Sequence, residues 1–308
     1  MSDFSQEFIQ HLINGVSLGS IYAMIALGYT MVYGILQLIN FAHSEVYMVG
    51  AFAAYYTAKY LPKITGQEMP PGAMTLVTLL IAAMFVCSVL GVTIERFAYR
   101  PLRRAPKLNI LITAIGVSLL LQYSGQIVFG ADPKVFPNVM NDSVITNFGS
   151  AELRVLDITI LGVAVFFMAV LTYMIKYTKT GKAMRAVSTN WTVASLMGIN
   201  VDRIISVTFI IGSSLAGVGA VLVGMKYPKI DPLMGTLIGI KAFVAAVFGG
   251  IGNLGGAVLG GLLLGMCEEF VVAYISSTYR DAFAFGLLII VLIVRPAGLL
   301  GRPTQEKV

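Results

Sequence analysis

Long uninterrupted apolar runs constrain this chain more than any other feature of its sequence. Residues 76–92 and 158–175 contain no charged residue, and a run of about 18 apolar residues is long enough to cross a bilayer as a helix. Only 12% of the 308 residues are charged, whereas a soluble domain carries about 25%. The runs do not alternate between apolar and polar positions, as β-barrel strands do. The sequence therefore predicts an all-α polytopic membrane protein.

Hydropathy and helix-breaking residues divide the chain into eight or nine membrane segments. Because proline breaks a helix interior, all eleven prolines are expected at or outside the segment ends. Two segments, 45–60 and 236–250, are short for a bilayer that needs about 20 residues, and either could be re-entrant. No separate soluble domain is evident, so residues 1–308 are expected to form one transmembrane domain. The predicted segments are 16–38, 45–60, 73–97, 109–129, 155–177, 204–225, 236–250, 252–273 and 282–296.

The charges of the connecting segments predict the orientation. Residues 95–109 and 176–203 each carry five basic residues against one acid, whereas 130–154 carries three acids against two basic residues. The positive-inside rule places the two basic loops and the C-terminal tail in the cytoplasm, and 130–154 and the N-terminus outside. An odd number of crossings follows. The net charge of +6 is explained by these loops, so no nucleic-acid partner is expected.

Polar residues form a stripe along the first predicted segment. Tyr22, Tyr29, Tyr33 and Asn40 point within about 40° of one another if the segment is helical throughout, and Gln37 lies near the edge of that arc. A polar stripe on a membrane helix must face protein or water. The sequence leaves two interpretations open: hydrogen bonds between helices, or the wall of a translocation path.

The stripe leads to a polar turn in "LINFAHSEVYMVGAF", residues 38–52. His43, Ser44 and Glu45 are expected near the cytoplasmic side, where Ser44 can cap a helix and Glu45 suits its first turn. They could be simple loop residues, or His43 could relay protons because histidine titrates near neutral pH. One histidine and one glutamate indicate a proton relay only weakly. Capping and gating are favoured, so the turn is predicted to be a hinge.

The basic loop at about 178–203 predicts a short amphipathic helix. A helical stretch over 183–197 is expected, with Gly198 as its C-terminal stop. Such a helix could lie on the bilayer surface or pack back on the bundle. It could also dock into a groove of a cytoplasmic partner.

The sequence disfavours catalysis. The glycine-rich segment 248–265 lacks the Lys-Ser or Lys-Thr of a phosphate-binding loop, and its glycines predict a tight turn between two half-length helices. The chain has two histidines and no Ser-His-acid set or CxxC motif, so neither a catalytic site nor a metal site is expected. No cofactor is predicted.

Five motifs occur in order along the chain: "NGVSLGSIYAMIALGYTMVYGILQLINFAHSEVYMVGAF", "GKAMRAVSTNWTVASLMGINVDR", "SSLAGVGAVLVG", "KAFVAAVFGGIGNLGGAVLGGLLLG" and "RPAGLLGRP". Together they resemble the permease subunit of bacterial branched-chain amino-acid (LIV-type) ABC importers, and the tail favours the H-type permease over its longer partner. The family turn usually has glycine after the histidine, where this chain has Ser44. Urea and short-amide permeases of the same family remain an alternative, as does a secondary amino-acid transporter driven by protons or sodium.

The resemblance implies a type II ABC importer fold in the bacterial inner membrane. It implies a heterodimer with a second permease, two cytoplasmic ABC ATPases that hydrolyse ATP, and a periplasmic substrate-binding protein, all within membrane lipid. The substrates would be leucine, isoleucine and valine. It also implies that the 183–198 helix inserts into the ATPase surface. The residues expected to make or shape that contact are Arg185, Ala186, Trp191, Ala194 and Gly198.

Overall fold

The computed structural model describes residues 3–66, 68–103, 105–148 and 151–301. Arg104 of the first basic loop and the end of the tail motif, 302–303, lie outside these residues. Within the described part of the chain, eleven α-helices account for most of the structure. They are α1 (Asp3–Leu36), α2 (His43–Thr65), α3 (Ala73–Ile94), α4 (Lys107–Phe129), α5 (Val155–Tyr177), α6 (Lys179–Thr189), α7 (Trp191–Leu196), α8 (Val201–Lys226), α9 (Met234–Gly249), α10 (Leu254–Tyr274) and α11 (Arg280–Val294).

Short irregular helices and four strands complete the described fold. A π-helical stretch, Glu95–Tyr99, and a 3-10 turn, Arg100–Leu102, extend α3. A second 3-10 turn, Ser277–Tyr279, precedes α11. The strands form two antiparallel pairs: β1 (Lys134–Val135) with β4 (Lys229–Ile230), and β2 (Val144–Phe148) with β3 (Ala151–Arg154).

Among the described residues, seven helical spans are long and apolar enough to cross a membrane: α1, α4, α5, α8 and α10, α3 with its irregular extension (Ala73–Leu102), and α11 with the 3-10 turn before it (Ser277–Val294). Each of the nine predicted segments coincides with one of these seven helices or with α2 or α9. The prediction for 45–60 is wrong in length, because α2 has 23 residues. The glycine-rich turn does not join two half-length helices either, because α9 has 16 residues but α10 has 21.

The proline prediction fails at one position, because Pro62 lies inside α2. It sits one turn before the helix end, where Gly66 adopts a φ of +68° and donates its N–H to the Pro62 carbonyl. Pro62 leaves the Ala58 carbonyl, one turn earlier, without its helical donor, and Lys59 and Tyr60 beside that carbonyl are exposed. A proline is tolerated there because the helix is already ending.

The connecting segments group at two ends of the bundle. Gln10 Oε1 accepts a hydrogen bond from the Glu152 N–H at 2.7 Å, which places the start of α1 beside the 130–154 segment. At the other end, Asp202 accepts hydrogen bonds from Arg100 and Arg103, each at 2.5 Å. The N-terminus and 130–154 therefore share one end, and the two basic loops share the other, as the charge pattern predicts.

Helix α1 is the core of the bundle, with 94% of its most apolar window buried. It packs closely on α10 because both helices carry glycines at the contact. A Cβ on Gly19 would lie 2.7 Å from the Leu262 Cα atom, closer than carbon atoms approach. Small residues at such a crossing let two backbones meet in lipid. This packing fixes α1 against α8, α9 and α10, where its polar residues point.

The tail packs against the glycine-rich turn. Gly250 and Gly252 adopt φ angles of +110° and +91°, which only glycine tolerates readily. Leu300 donates its N–H to the Gly249 carbonyl at 2.9 Å, and its carbonyl accepts from Asn253 Nδ2 at 2.8 Å. The "PAGLLG" motif therefore closes the end of α9 and the start of α10.

Candidate functional site

The polar stripe of the first segment is shorter than predicted. Helix α1 ends at Leu36, and Gln37 has a φ of +53°, so Gln37 and Asn40 do not continue the helix. The helical spacing that placed them on the stripe is wrong, because a left-handed residue turns the chain away. Tyr22 and Tyr29 remain on one helix face, and both are buried.

The tyrosines of the stripe point towards α9 and α10. The Tyr22 hydroxyl donates a hydrogen bond to Glu268 Oε2 at 2.9 Å, and the Tyr29 ring lies 6.1 Å from the Phe243 ring. Tyr33 is half-buried and lies beside Gly252. Tyr22 thus makes the interhelical hydrogen bond that was one of the two interpretations of the stripe.

The turn after α1 lies inside the bundle rather than in a surface loop. His43 and Glu45 are each only 1% exposed, so the interpretation of simple loop residues, which the sequence left open, is excluded. Ser44 packs on Gly239, in the middle of α9, and the Val46 carbonyl accepts from Cys87 Sγ at 3.3 Å, in the middle of α3. Helix α2 therefore begins deep in the bundle, where neighbouring helices shield it.

The hydrogen bonds of the turn differ from the predicted capping. Ala42 is the N-cap of α2 and makes no side-chain cap. The Ser44 hydroxyl instead donates to the Phe41 carbonyl at 2.8 Å. Glu45 lies in the first turn of α2, as predicted. Ser44 is helical and lacks a positive φ, so a glycine is not needed at this position for backbone reasons.

Several buried polar atoms of this turn have no hydrogen-bond partner among the described residues. Both ring nitrogens of His43 and Oε2 of Glu45 belong to this group. The His43 ring lies 4.6 Å from the Tyr29 ring, so its neighbour there is an aromatic surface. Buried polar groups are nearly always paired, and each exception calls for an explanation. These atoms make the α1–α2 turn the strongest candidate for a ligand path.

The loop at 178–203 is helical but broken. The single helix predicted over 183–197 is wrong, because Asn190 adopts a φ of −160° between α6 and α7. Its Oδ1 atom accepts from the N–H groups of Thr192 and Val193, at 3.0 and 3.1 Å. Asparagine is a strong N-cap, and here that preference starts a new helix. Gly198 has a φ of +83°, so it does stop the second helix as predicted.

The residues expected to contact an ATPase occupy different environments in this loop. Arg185 is exposed and donates to the Ile175 carbonyl, while Ala186 and Trp191 are half-buried. Ala194 is 3% exposed and packs within the loop. The exposed apolar surface of α7, here named the α7 face, consists instead of Val193, Leu196 and Met197.

Sequence reasoning missed an ionic cluster between α1, α9, α10 and α11. Lys241 Nζ lies 3.1 Å from Glu268 Oε2 and 2.6 Å from Asp281 Oδ1, and Arg280 Nε lies 3.6 Å from Glu268 Oε2. Glu268 is fully buried. A single lysine and an acidic pair within two apolar runs were the available signal, since ionisable residues in membrane helices are costly and tend to be paired.

Helices that cross the membrane around a buried polar turn are typical of a multi-pass transport protein. The model of the family described as branched-chain amino acid transport system/permease component matches residues 11–292. The chain belongs to this family, which confirms the resemblance seen in its motifs.

The curated relatives match over the whole chain. The chain is 43% identical over 312 residues to "High-affinity branched-chain amino acid transport system permease protein LivH" of Escherichia coli K12, covering 100% of both chains. It is 43% identical over 306 residues to the BraD permease protein of the same description in Pseudomonas aeruginosa, covering 98% of both. A probable branched-chain amino acid transport permease protein of Methanocaldococcus jannaschii is 28% identical, over 98% of this chain and 93% of its own.

Proposed function

We propose that this chain is a permease subunit of an ABC importer for leucine, isoleucine and valine. The observation that carries the proposal is the 43% identity over full length to permeases described as high-affinity branched-chain amino acid transporters. The same match favours this function over a urea or short-amide permease and over an ion-coupled transporter. Residues 1–308 would act as one transmembrane domain.

The buried α1–α2 turn is proposed to line the translocation path. Its members would be Tyr29 and Tyr33 of α1, and Asn40, His43 and Glu45 around the turn. A branched-chain amino acid is a zwitterion with an apolar tail, so it needs polar groups in an apolar wall. The unpartnered atoms of His43 and Glu45 support this location, because a passing substrate would supply partners. We propose that the turn acts as a hinge at Ser44, which packs on Gly239 of α9.

The loop at 178–203 is proposed to couple the permease to an ATPase. The α7 face carries three exposed apolar side chains, and α6 presents the exposed cations Lys179, Lys182 and Arg185. An apolar face beside basic residues suits a groove in a partner protein. Trp191 and Ala194 would shape the loop from within.

The partners and the orientation complete the proposal. Because the permease would obtain its energy from ATP hydrolysis elsewhere, we propose two cytoplasmic ATPases, a second permease and a periplasmic binding protein. The protein would lie in the bacterial inner membrane, with its basic loops and C-terminus in the cytoplasm and its N-terminus in the periplasm.

Substrate competition in the reconstituted complex tests this proposal. The complex of both permeases and both ATPases would be placed in liposomes, with the binding protein outside and ATP inside. We expect unlabelled isoleucine and valine to compete with labelled leucine, and urea and acetamide to have no effect. Uptake of labelled urea or acetamide, with leucine ineffective, would replace the proposal with a short-amide permease.

A further inference from the structure

Glu45 is a buried carboxylate without a cation. It is 1% exposed, its Oε2 atom has no hydrogen-bond partner in the described part of the chain, and its Oε1 atom lies 3.5 Å from the Ser44 hydroxyl. No basic side chain of the described residues forms an ion pair with it. Such a carboxylate is costly to bury unless something pairs with it.

The other buried acids of the described residues show how this bundle normally treats such a group. Four carboxylate side chains are buried, and the other three each have a basic partner. Glu45 is therefore the exception in a structure that otherwise pairs its buried charges. The three pairs are Glu95 with Arg103, Asp157 with Lys226 at 2.6 Å, and Glu268 with Lys241 at 3.1 Å.

A line of polar residues connects Glu45 with the surface of the bundle. Gln122 of α4 contacts the Thr236 hydroxyl of α9 at 3.5 Å at the surface. Ser118 lies one turn before Gln122 and near the Glu45 carboxylate. Thr236 follows Gly235, whose missing Cβ leaves room for Glu45 Oε2: a Cβ there would lie 2.9 Å from that oxygen. We name Ser118, Gln122 and Thr236 the polar seam.

The polar seam indicates where a charged ligand can reach Glu45. Polar side chains on a membrane helix face protein or water rather than lipid. Thr236 is exposed in this single chain, so water or a second subunit is expected to cover it. A cation that enters along the seam meets hydroxyl and amide groups before the carboxylate.

We infer that Glu45 binds the ammonium group of the transported amino acid as it passes the α1–α2 turn. This inference rests on the proposed function. An ammonium group has three donors, and the Glu45 carboxylate together with the Ser44 and Ser118 hydroxyls provides acceptors around one point. Gly235 and Gly239 of α9 carry no Cβ, so Glu45 and Ser44 pack directly against the α9 backbone. The substrate supplies the positive charge that the chain itself lacks at this point.

Mutation of Glu45 tests the inference, with leucine uptake and ATP hydrolysis measured in the same complex. In Glu45→Gln the loaded binding protein should still stimulate ATP hydrolysis, while leucine uptake per ATP falls by about tenfold or more, because a buried charge pair has lost one partner. Glu45→Asp should retain part of the uptake. Glu68→Gln removes an exposed carboxylate and should match the wild type. Uptake by Glu45→Gln within about twofold of wild type would overturn the inference.

If Glu45→Gln does not assemble, carboxyl labelling of the wild-type complex tests whether Glu45 binds the ammonium group. Dicyclohexylcarbodiimide, an apolar reagent for buried carboxyl groups, would be applied and labelled Glu45 quantified by mass spectrometry. Leucine during turnover, and 3-methylbutylamine, should protect Glu45, whereas 4-methylpentanoate, which lacks the ammonium, should not. Protection by a proton or sodium gradient alone, or none by leucine, would overturn the inference. If the wild-type complex takes up no leucine at all, the proposed function fails instead.

Discussion

The Tyr99 hydroxyl donates a hydrogen bond to Asn40 Oδ1 at 2.8 Å, and both residues are buried. Asn40 belongs to the turn between α1 and α2, and Tyr99 closes the π-helical stretch that follows α3. The same stretch carries Glu95, which accepts hydrogen bonds from Arg103 and from Ser206 Oγ. The bond therefore connects the candidate path with the end of the bundle where the two basic loops meet.

Tyr99→Phe is expected to weaken this connection, because it removes the hydroxyl that donates to Asn40. It leaves Asn40 Oδ1 buried without its donor, which costs about 1–3 kcal/mol. We expect a lower melting temperature of the purified complex and a few-fold loss of leucine uptake. Tyr173→Phe, which alters an exposed tyrosine of α5, is the matched control and should change neither. Wild-type melting and uptake in Tyr99→Phe would show that the bond does not support the turn.

His43→Gln is expected to retain most leucine uptake between about pH 6 and pH 8, because glutamine can hydrogen-bond but does not titrate in that range. The variant keeps a polar side chain beside Tyr29. Both variants lose the ring that lies 4.6 Å from the Tyr29 ring, but His43→Ala loses the polar group as well and should be the weaker transporter. Uptake would be measured across the pH range in both variants. A wild-type pH dependence that disappears in His43→Gln would replace the hinge with a titrating site.

Lys241→Met is expected to destabilise the complex strongly. It removes the cation 3.1 Å from buried Glu268 and leaves Arg280, at 3.6 Å, as the remaining cation beside that carboxylate in the described part of the chain. Breaking a buried pair costs up to about 3–5 kcal/mol. The double variant Lys241→Met with Glu268→Leu should recover most of the melting temperature, because no uncompensated charge remains at that pair. Lys59→Met, at an exposed lysine, is the control. A double variant no more stable than Lys241→Met would show that the pair does not act as a unit.

Leu196→Glu is expected to uncouple the permease from its ATPases. Leu196 is 81% exposed on the α7 face, so the new charge leaves the loop fold intact but is costly in a docked interface. Stimulation of ATP hydrolysis by loaded binding protein should be lost. Val135→Glu alters another exposed apolar residue, at the opposite end of the bundle, and should preserve it. Normal stimulation in Leu196→Glu would mean that α7 lies on the membrane instead.

Hydropathy predicts where helices run, because the bilayer demands long apolar segments whatever their neighbours. It contains no information on burial, so the sequence left open that His43 and Glu45 are simple loop residues, although both are buried in the bundle. Helical spacing likewise extended the stripe to Asn40. The chain leaves the helix at Gln37, which has a positive φ, and only a glycine there would have indicated such an angle clearly in the sequence. Both points depend on tertiary packing, which determines where helix α1 ends and how deeply the following turn is buried.

The broken loop and the ionic cluster were missed for different reasons. Asn190 offers a local cap that competes with continuing the helix, and the outcome depends on how α7 packs. Lys241 and Glu268 stand 27 positions apart on separate helices, so no periodicity links them. The single charges were visible in the sequence, but only the fold shows that they meet. The partner contacts inferred for Arg185 and Ala186 remain predictions.

ATP-driven uptake without an ion gradient is the most direct test that this chain works in an ABC importer. Both permeases and both ATPases would be reconstituted in liposomes with equal proton and sodium concentrations on the two sides, ATP inside, and leucine-loaded binding protein outside. We expect leucine accumulation that requires ATP hydrolysis and the binding protein, and that ionophores leave unchanged. Accumulation that proceeds without ATP, and that collapses when a proton or sodium gradient is removed, would contradict it.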